Sequence, residues 1–299
     1  MTTGVDLSLL PAPLVIEALS FEDILADLKA DFITRHPAAA DVIDLESEPV
    51  VKLLEVVAYR ETLLRARLND EARALLLAYS TGADLDHIGA TYYQEPRLVV
   101  TPADPLALPP VPEVLESDDD YRQRLALKPE SYSVAGPTEA FKFHALSADG
   151  NVKSASVTSP VPGTTTVYVL SRIGNGVPDA PLLALVNAAL NAETIRPLSE
   201  EVLVEAATLI NYAIDVSLTV YPGPAGEAAL TAAQAALAKL ADDSHTLDRD
   251  VTLSAITAAA QQPGVKRVVV NSPAAEVVCA IGEVPWNTGI IVTVAGVEE

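Results

Sequence analysis

Four histidines, three groups of aspartates and one cysteine are the residues with the chemistry for catalysis or metal binding. His36, His87, His144 and His245 are scattered, and none stands in the His-Glu-x-x-His spacing that sets two imidazoles on one helix face. Asp84 and Asp86 beside His87 could be drawn as metal ligands. They follow Gly82 at a new helix start, however, where Asp84 is expected to serve as an acidic N-cap. Asp118-Asp119-Asp120, and Asp242-Asp243 with Asp248 and Asp250, lack the alternating ligands, turn glycine and terminal Glu of a calcium loop. Paired carboxylates could serve glycoside hydrolysis if they faced each other across a sugar cleft. With aromatics at 5% and a single tryptophan, Trp286, little could stack on a sugar. Helix-capping and loop roles are expected for these acids instead.

The remaining motifs also read as structure. Gly174-Asn175-Gly176 lacks the third glycine of a dinucleotide fingerprint and runs into Pro178, so it predicts a turn. The chain has no Gly-Lys-Ser/Thr phosphate loop and no Gly-x-Ser-x-Gly elbow. Cys279 has no base beside it and reads as a small buried hydrophobe. One cysteine excludes an intramolecular disulfide and a Cys-based zinc site. No enzyme, cofactor or metal is expected.

Charge narrows the partners. Lys and Arg number 19 against 41 Asp and Glu, a formal net charge of −22. Binding to nucleic acid or an anionic membrane needs cations that neutralise phosphate, so neither is expected. Met1-Thr2-Thr3-Gly4-Val5-Asp6 has no positive charge ahead of an apolar segment and does not read as a signal peptide. No charge-free apolar run approaches the ~18 residues of a spanning helix. These features fit a soluble, acidic, cytosol-made protein. Its 49% hydrophobic content, mostly aliphatic, is expected to be hidden partly in subunit contacts.

The elements that would position these residues begin with helices. Phe21, Ile24, Leu25, Leu28 and Phe32 recur at helical spacing, and His36-Pro37 ends that segment. A second helix is expected over 48–79, with Ser47 as N-cap, Pro49 in the first turn and Gly82 as the stop. At 1.5 Å per residue it would be roughly 48 Å long. Val50, Val51, Leu53, Leu54, Val56 and Val57 surround its first turns, and a helix apolar all round is buried on all sides. Glu61 with Arg65 and Arg67 with Glu71 form i,i+4 pairs on it.

Residues 96–112 hold six prolines and predict an extended, semi-stiff connector. A short helix follows Asp118–Asp120, with acids at its positive end. Beyond Pro137, helices are expected near 137–147, 179–192, 226–241 and 250–261. Strands are expected near 152–158, 164–170, 202–204, 214–221, 265–271 and 289–295. Asn151–Pro160 aligns with Gly264–Pro273, each after an apolar helix, as a candidate internal repeat. The fold class is thus α+β: an N-terminal long-helix bundle segment (1–95), a Pro-rich linker (96–117), and two small helix-on-sheet modules (118–208 and 209–299).

Several separated blocks carry a family resemblance. Glu46-Ser-Glu-Pro-Val-Val-Lys-Leu-Leu-Glu-Val-Val-Ala-Tyr-Arg-Glu61 and Arg67–Asp86 resemble the helical signature of the baseplate J family, wedge proteins of contractile phage tails and phage-tail-like bacteriocins (tailocins). Asp119-Asp-Tyr-Arg-Gln-Arg124 with Ser133-Val-Ala-Gly-Pro137 is similar to the next block. Val157–Gly163 and Arg196–Val204 resemble a third. Val5–Pro11 is similar to the family's amino terminus. The proline-rich stretch is more elaborate than a minimal connector.

The resemblance implies a structural baseplate wedge protein, assembled in the host bacterial cytoplasm. It would join a smaller wedge partner in six wedges around the tail hub and couple host contact to sheath contraction. Two copies would share a wedge, with a lysozyme-like sheath initiator docked on their helical bundle, while the α+β domains close a ring. Val50, Leu53, Leu54, Val57, Leu64 and Leu68 are then expected to form the bundle seam, with Arg60, Arg65 and Asn69 setting its register. Replacing Leu54 by Asp is expected to abolish wedge formation. Residues 96–112 are a candidate hinge. A receptor-binding or other tail-tip component would be the alternative, and would need exposed aromatic or basic loops; a tail-associated glycan hydrolase would need a carboxylate cleft.

Overall fold

The computed structural model describes residues 13, 15, 17–45, 47–133, 135–222 and 226–298; the motif at Val5–Pro11 lies outside them. The chain divides into two compact units, Met1–Pro96 and Arg97–Glu299.

In the first unit, α1 (Phe21–Arg35) is capped by Ser20, whose side chain accepts from Asp23 N. It packs on α2 (Pro49–Ala74) and buries Ile24 there, while α2 buries Val51 and Ala58. The N-cap of α2 is Glu48, not Ser47. The reason is local: a residue before proline is driven out of the helical region, and Glu48 is extended (φ −72°, ψ 127°) ahead of Pro49. At its other end α2 stops at Ala74, so its 26 residues span about 39 Å. Tight turns take over (Leu76 N to Arg73 O, 3.0 Å; Tyr79 N to Leu76 O, 2.9 Å). Leu75 and Tyr79 keep the apolar rhythm through that turn yet remain exposed, so rhythm alone does not mark the end. Gly82 does not stop α2; at φ +52° it opens α3 (Gly82–Ile88). The N-cap of α3 is Thr81, and Asp84 lies in the first turn rather than at the cap, still favourably placed at the positive helix end.

The second unit opens where an extended connector was expected. Residues 97–116 instead fold back as a hairpin: β1 (Val99–Thr101) pairs with β2 (Val114–Leu115), and Asp104 bridges Val111. The prolines sit where a hairpin tolerates them, around the turn and between the paired residues. Behind it, α4 (Asp118–Leu127) is capped by Ser117, and its three leading acids all meet arginines: Arg97 with Asp118 (2.8 Å), Arg122 with Asp119 (2.6 Å) and Arg172 with Asp120 (2.8 Å).

Two three-stranded sheets follow. In the first, β4 (Thr164–Ser171) is central, antiparallel to β3 (Val152–Val161) and parallel to β5 (Glu201–Ala206). Helices α5 (Thr138–Ala148) and α6 (Ala180–Leu190) supply Phe141, Ala145, Leu182, Val186 and Leu190 to a core with Val167 and Val169. In the second, β6 (Thr208–Val220) is central, antiparallel to β7 (Val265–Ser272) and parallel to β8 (Glu283–Val297). Its alternating Ile214, Val216, Leu218 and Val220 are all buried under Ala229, Ala233 and Leu237 of α7 (Gly226–Ser244) and Ile256 and Ala260 of α8 (Leu253–Ala260).

The repeated motifs occupy matching places. Both β3 and β7 are antiparallel edges led by a buried valine, Val152 and Val265. The chain order differs, however, because the central strand follows the motif in the first sheet and precedes it in the second. Only Ala207 separates β5 from β6, so no linker lies between the sheets. A small core of Leu170, Ala207, Leu247 and Val284 fills their junction.

Candidate functional site

The surface with the clearest unfinished business is the outer face of α2. At about 100° per residue, Val51, Ala58 and Asn69 fall within roughly 20° of one another and face the unit's own core. Leu53, Val57, Arg60, Leu64 and Leu68 lie on an arc roughly 80° wide, turned well away from that face. Leu53, Leu64 and Leu68 are each more than half exposed, at 62%, 59% and 55%. Val56 and Leu63 widen the same stripe. A helix buried on all sides was expected; among the described residues of this unit only one side of α2 is covered. One partner helix, α1, and the segment before it can dry only one face of a cylinder.

The other expected seam residues divide. Val50 and Leu54 are half-buried on the flank, so an Asp at 54 would disturb the unit's own packing as well as a partner. Arg65 is tied within the unit: its Nη2 and Nε donate to Glu61 Oε1 at 2.6 and 3.0 Å, and its Nη1 donates to Glu17 at 3.3 Å. Asn69 is buried, and its amide clamps one residue of its own chain. It accepts from Glu17 N at 3.0 Å and donates to Glu17 O at 2.8 Å. A satisfied, inward-facing amide holds the Glu17 segment rather than facing outward to set a partner's register. Sequence spacing could not find this clamp, because its two ends are 52 residues apart. Arg60 stays exposed in the middle of the apolar stripe.

The candidate chemical groups resolve into scaffolding. Asp248 accepts from Gly282 N (2.8 Å) and from the Ser156 hydroxyl, Asp250 from Cys279 N (2.8 Å), and Glu283 from Ala280 N (2.8 Å). These carboxylates hold the 277–283 loop, and Asp248, through Ser156 on β3, also joins the two sheets. Asp248 does so from the left-handed region (φ +62°), where a short polar side chain can bond locally. Gly282 (φ +83°) lies so close to the Tyr168 ring that a Cβ would stand 2.7 Å from it, so no side chain fits. Burial, then the charges of Asp250, Glu283 and Asp248, push the Cys279 thiol up to about 11, which keeps it protonated and unreactive at neutral pH. His36 and His87 are exposed and His144 is half-buried. No group of three or more His, Cys, Asp or Glu among the described residues is arranged to hold a metal. No helix among them is long and apolar enough to cross a membrane.

His245 stands isolated in the sequence, yet it sits buried at the junction of the sheets. Its ring lies 5.0 Å from that of Trp286, and its Nδ1 lies 3.4 Å from Lys153 Nζ. Burial first, and Lys153 second, lower its pKa from the usual 6.5; Asn175 and Asp242 offset this only in part. The folded protein therefore favours neutral His245, and the unfolded chain takes up the proton at higher pH. Stability from this site is complete above about pH 6.5 and is lost as pH falls below it. Between pH 7.5 and 5.5 the unfolding midpoint followed by Trp286 fluorescence is expected to fall, and His245→Gln to flatten that slope. An unchanged slope in the variant would contradict the assignment.

Three family models match the chain in order. The Baseplate J-like N-terminal domain matches residues 46–104, the central domain 133–206 and the C-terminal domain 212–293. The chain is also 46% identical to "Baseplate protein J" of Escherichia phage P2 over 300 residues, covering 99% of each protein. The chain belongs to the baseplate J-like family. It is a structural component of a phage baseplate and hence part of the virion. The baseplate J-like N-terminal match begins just ahead of α2 and contains the whole apolar stripe. The central and C-terminal matches coincide with the two sheet-bearing modules.

Proposed function

We propose that this baseplate J-like protein is a wedge subunit whose α2 stripe is the seam of an intermolecular helical bundle. The observation that carries the reading is the row Leu53, Val57, Leu64 and Leu68, apolar and uncovered on a helix whose opposite face is already packed. Exposed apolar patches of this kind mark protein contacts, and the 3-and-4 spacing suits a helix partner. Two copies of the chain and one smaller wedge protein fill the bundle, a lysozyme-like sheath initiator docks on it, and six wedges surround the tail hub. Arg60, set within the stripe, specifies register there. The role is assembly, in the host cytoplasm, rather than catalysis; the same design serves a phage or a headless tailocin.

A second observation supports a copy-to-copy contact through the C-terminal module. Three of the four outer strands of the two sheets carry charges that discourage pairing: Lys153 on β3, Glu201 and Glu205 on β5, and Lys266 and Arg267 on β7. The fourth, β8, is charged only at its first residue, Glu283, which accepts from Ala280 N; the rest of this long strand is uncharged, and Ile291 and Val297 are exposed on it. Between chains of net charge −22, an uncharged edge is where two copies can meet with least repulsion.

The test is a light-scattering mass, alone and after co-expression with neighbouring genes for a second wedge protein and a sheath initiator. A stoichiometric complex holding two copies of this chain is expected. A chain that stays monomeric and migrates apart from both would overturn the proposal.

A further inference from the structure

The hairpin at 97–116 does something that neither the α2 seam nor the sheet modules explain. Its turn exposes Leu106 at 90% and Leu108 at 98%, the second about as open as a side chain can be. Val111, Val114 and Leu115 continue the apolar surface down one arm. A mobile loop would carry such residues at little consequence, but this loop is built to hold still. Asp104 Oδ1 accepts from Leu106 N at 3.0 Å and from Ala107 N at 3.2 Å, closing the turn from inside. Asp104 and Val111 exchange both backbone hydrogen bonds at 2.9 Å. Pro102, Pro105, Pro109, Pro110 and Pro112 fix φ at five further points.

The base of the hairpin is anchored as firmly. Glu116 N donates to Leu98 O at 2.9 Å, and Arg97 Nη1 donates to Glu116 O at 2.7 Å. Glu116 itself is buried and paired with buried Arg124. Displaying two leucines on a stiff arm costs solubility, and stiffness lowers the ordering cost of binding. The combination is that of a preformed plug.

We infer that this hairpin is a docking finger that inserts Leu106 and Leu108 into an apolar groove on a different protein of the assembly, one whose groove is rimmed by Lys or Arg. The rim follows from charge. The finger bears Asp104 and Glu113 and no cation between Val99 and Leu115. A second copy of the chain, at net charge −22, would oppose it, whereas a basic rim would attract it. The inference is independent of the α2 seam, since it rests on a different segment of the chain, in the other compact unit.

The experiment places a photo-crosslinking amino acid at 108, and at 64 as a control, in the full chain supplied to particles lacking their own copy. Crosslinked peptides are then identified by mass spectrometry. The expected product joins position 108 to a different protein at an apolar segment with Lys or Arg nearby. In parallel, Leu106→Ser with Leu108→Ser is expected to leave the thermal midpoint of the purified chain unchanged and to cut particle yield at least tenfold. Glu113→Lys is expected to weaken the same crosslink. No product from 108 while 64 crosslinks, a product joining two copies of this chain, or full yield from the double variant would each overturn the finger. Loss of the product from 64 with retention of that from 108 would sink the α2 seam and leave the finger standing.

Discussion

Leu64→Asp is expected to abolish co-purification with the smaller wedge protein while leaving the sheet-bearing modules folded. Leu64 is exposed in the chain, so the carboxylate costs the isolated protein almost nothing. In a bundle seam it would be desolvated without a partner, a penalty of roughly 3–5 kcal/mol by analogy with broken buried pairs. That is a loss of about 100-fold to 1,000-fold or more in affinity. Leu64 tests the seam more cleanly than Leu54, whose half-buried position mixes subunit stability with assembly. The measurement is a pull-down quantified against the unmodified chain, with circular dichroism to confirm the fold. Equal recovery would show that the stripe is not the seam.

The second large effect lies inside the chain. Arg124 and Glu116 are both buried, joined by Nη2 to Oε2 at 2.8 Å and by Nε to both carboxylate oxygens at 3.1 and 3.2 Å. Arg124 also lies over the Tyr121 ring, 5.3 Å from its centroid. Arg124→Ala strands a buried carboxylate, and such losses run to about 3–5 kcal/mol. For a unit of this size each kcal/mol lowers the midpoint by about 2–4 °C, so a fall on the order of 10 °C is expected by differential scanning calorimetry. Replacing both partners with apolar residues should recover much of it, because the pair's desolvation cost disappears together with its attraction. A small effect from Arg124→Ala alone would mean that water reaches Glu116. The pair also seats the base of the finger, so Arg124→Ala is expected to lower the crosslink at 108 as well.

How much was legible in advance depended on the range of the interaction. The buried face of β6 was readable because alternation along one strand maps directly onto two faces of a sheet. The two helices that cover it, α7 and α8, were readable from their Ala-rich, apolar runs, and in the fold Thr252 caps α8 by accepting from Ala255 N. The start of α2 was misplaced by one residue because the steric demand of Pro49 outweighed the capping preference of Ser47. Its end was misplaced because an apolar rhythm continues through Leu75 and Tyr79 after the backbone has turned. In sequence the hairpin reads as a linker because its prolines look alike in a connector and in a turn. What distinguishes them is the pairing of Asp104 with Val111 and the grip of Glu116 on Leu98.

Identity and architecture were therefore written in local patterns. The separated baseplate J-like blocks, the acidic balance, the scattered histidines and the strand alternation all depend on residues near one another in the chain, where spacing alone settles geometry. Tertiary structure decided what each exposed or polar group was free to do. It turned Asn69 inward onto Glu17, spent Asp248 and Asp250 on a loop, lodged His245 beneath Trp286 and Lys153, and left Leu53, Leu64, Leu106 and Leu108 facing outward. These outcomes hinge on contacts between residues far apart in the chain, whose closure a one-dimensional pattern does not encode.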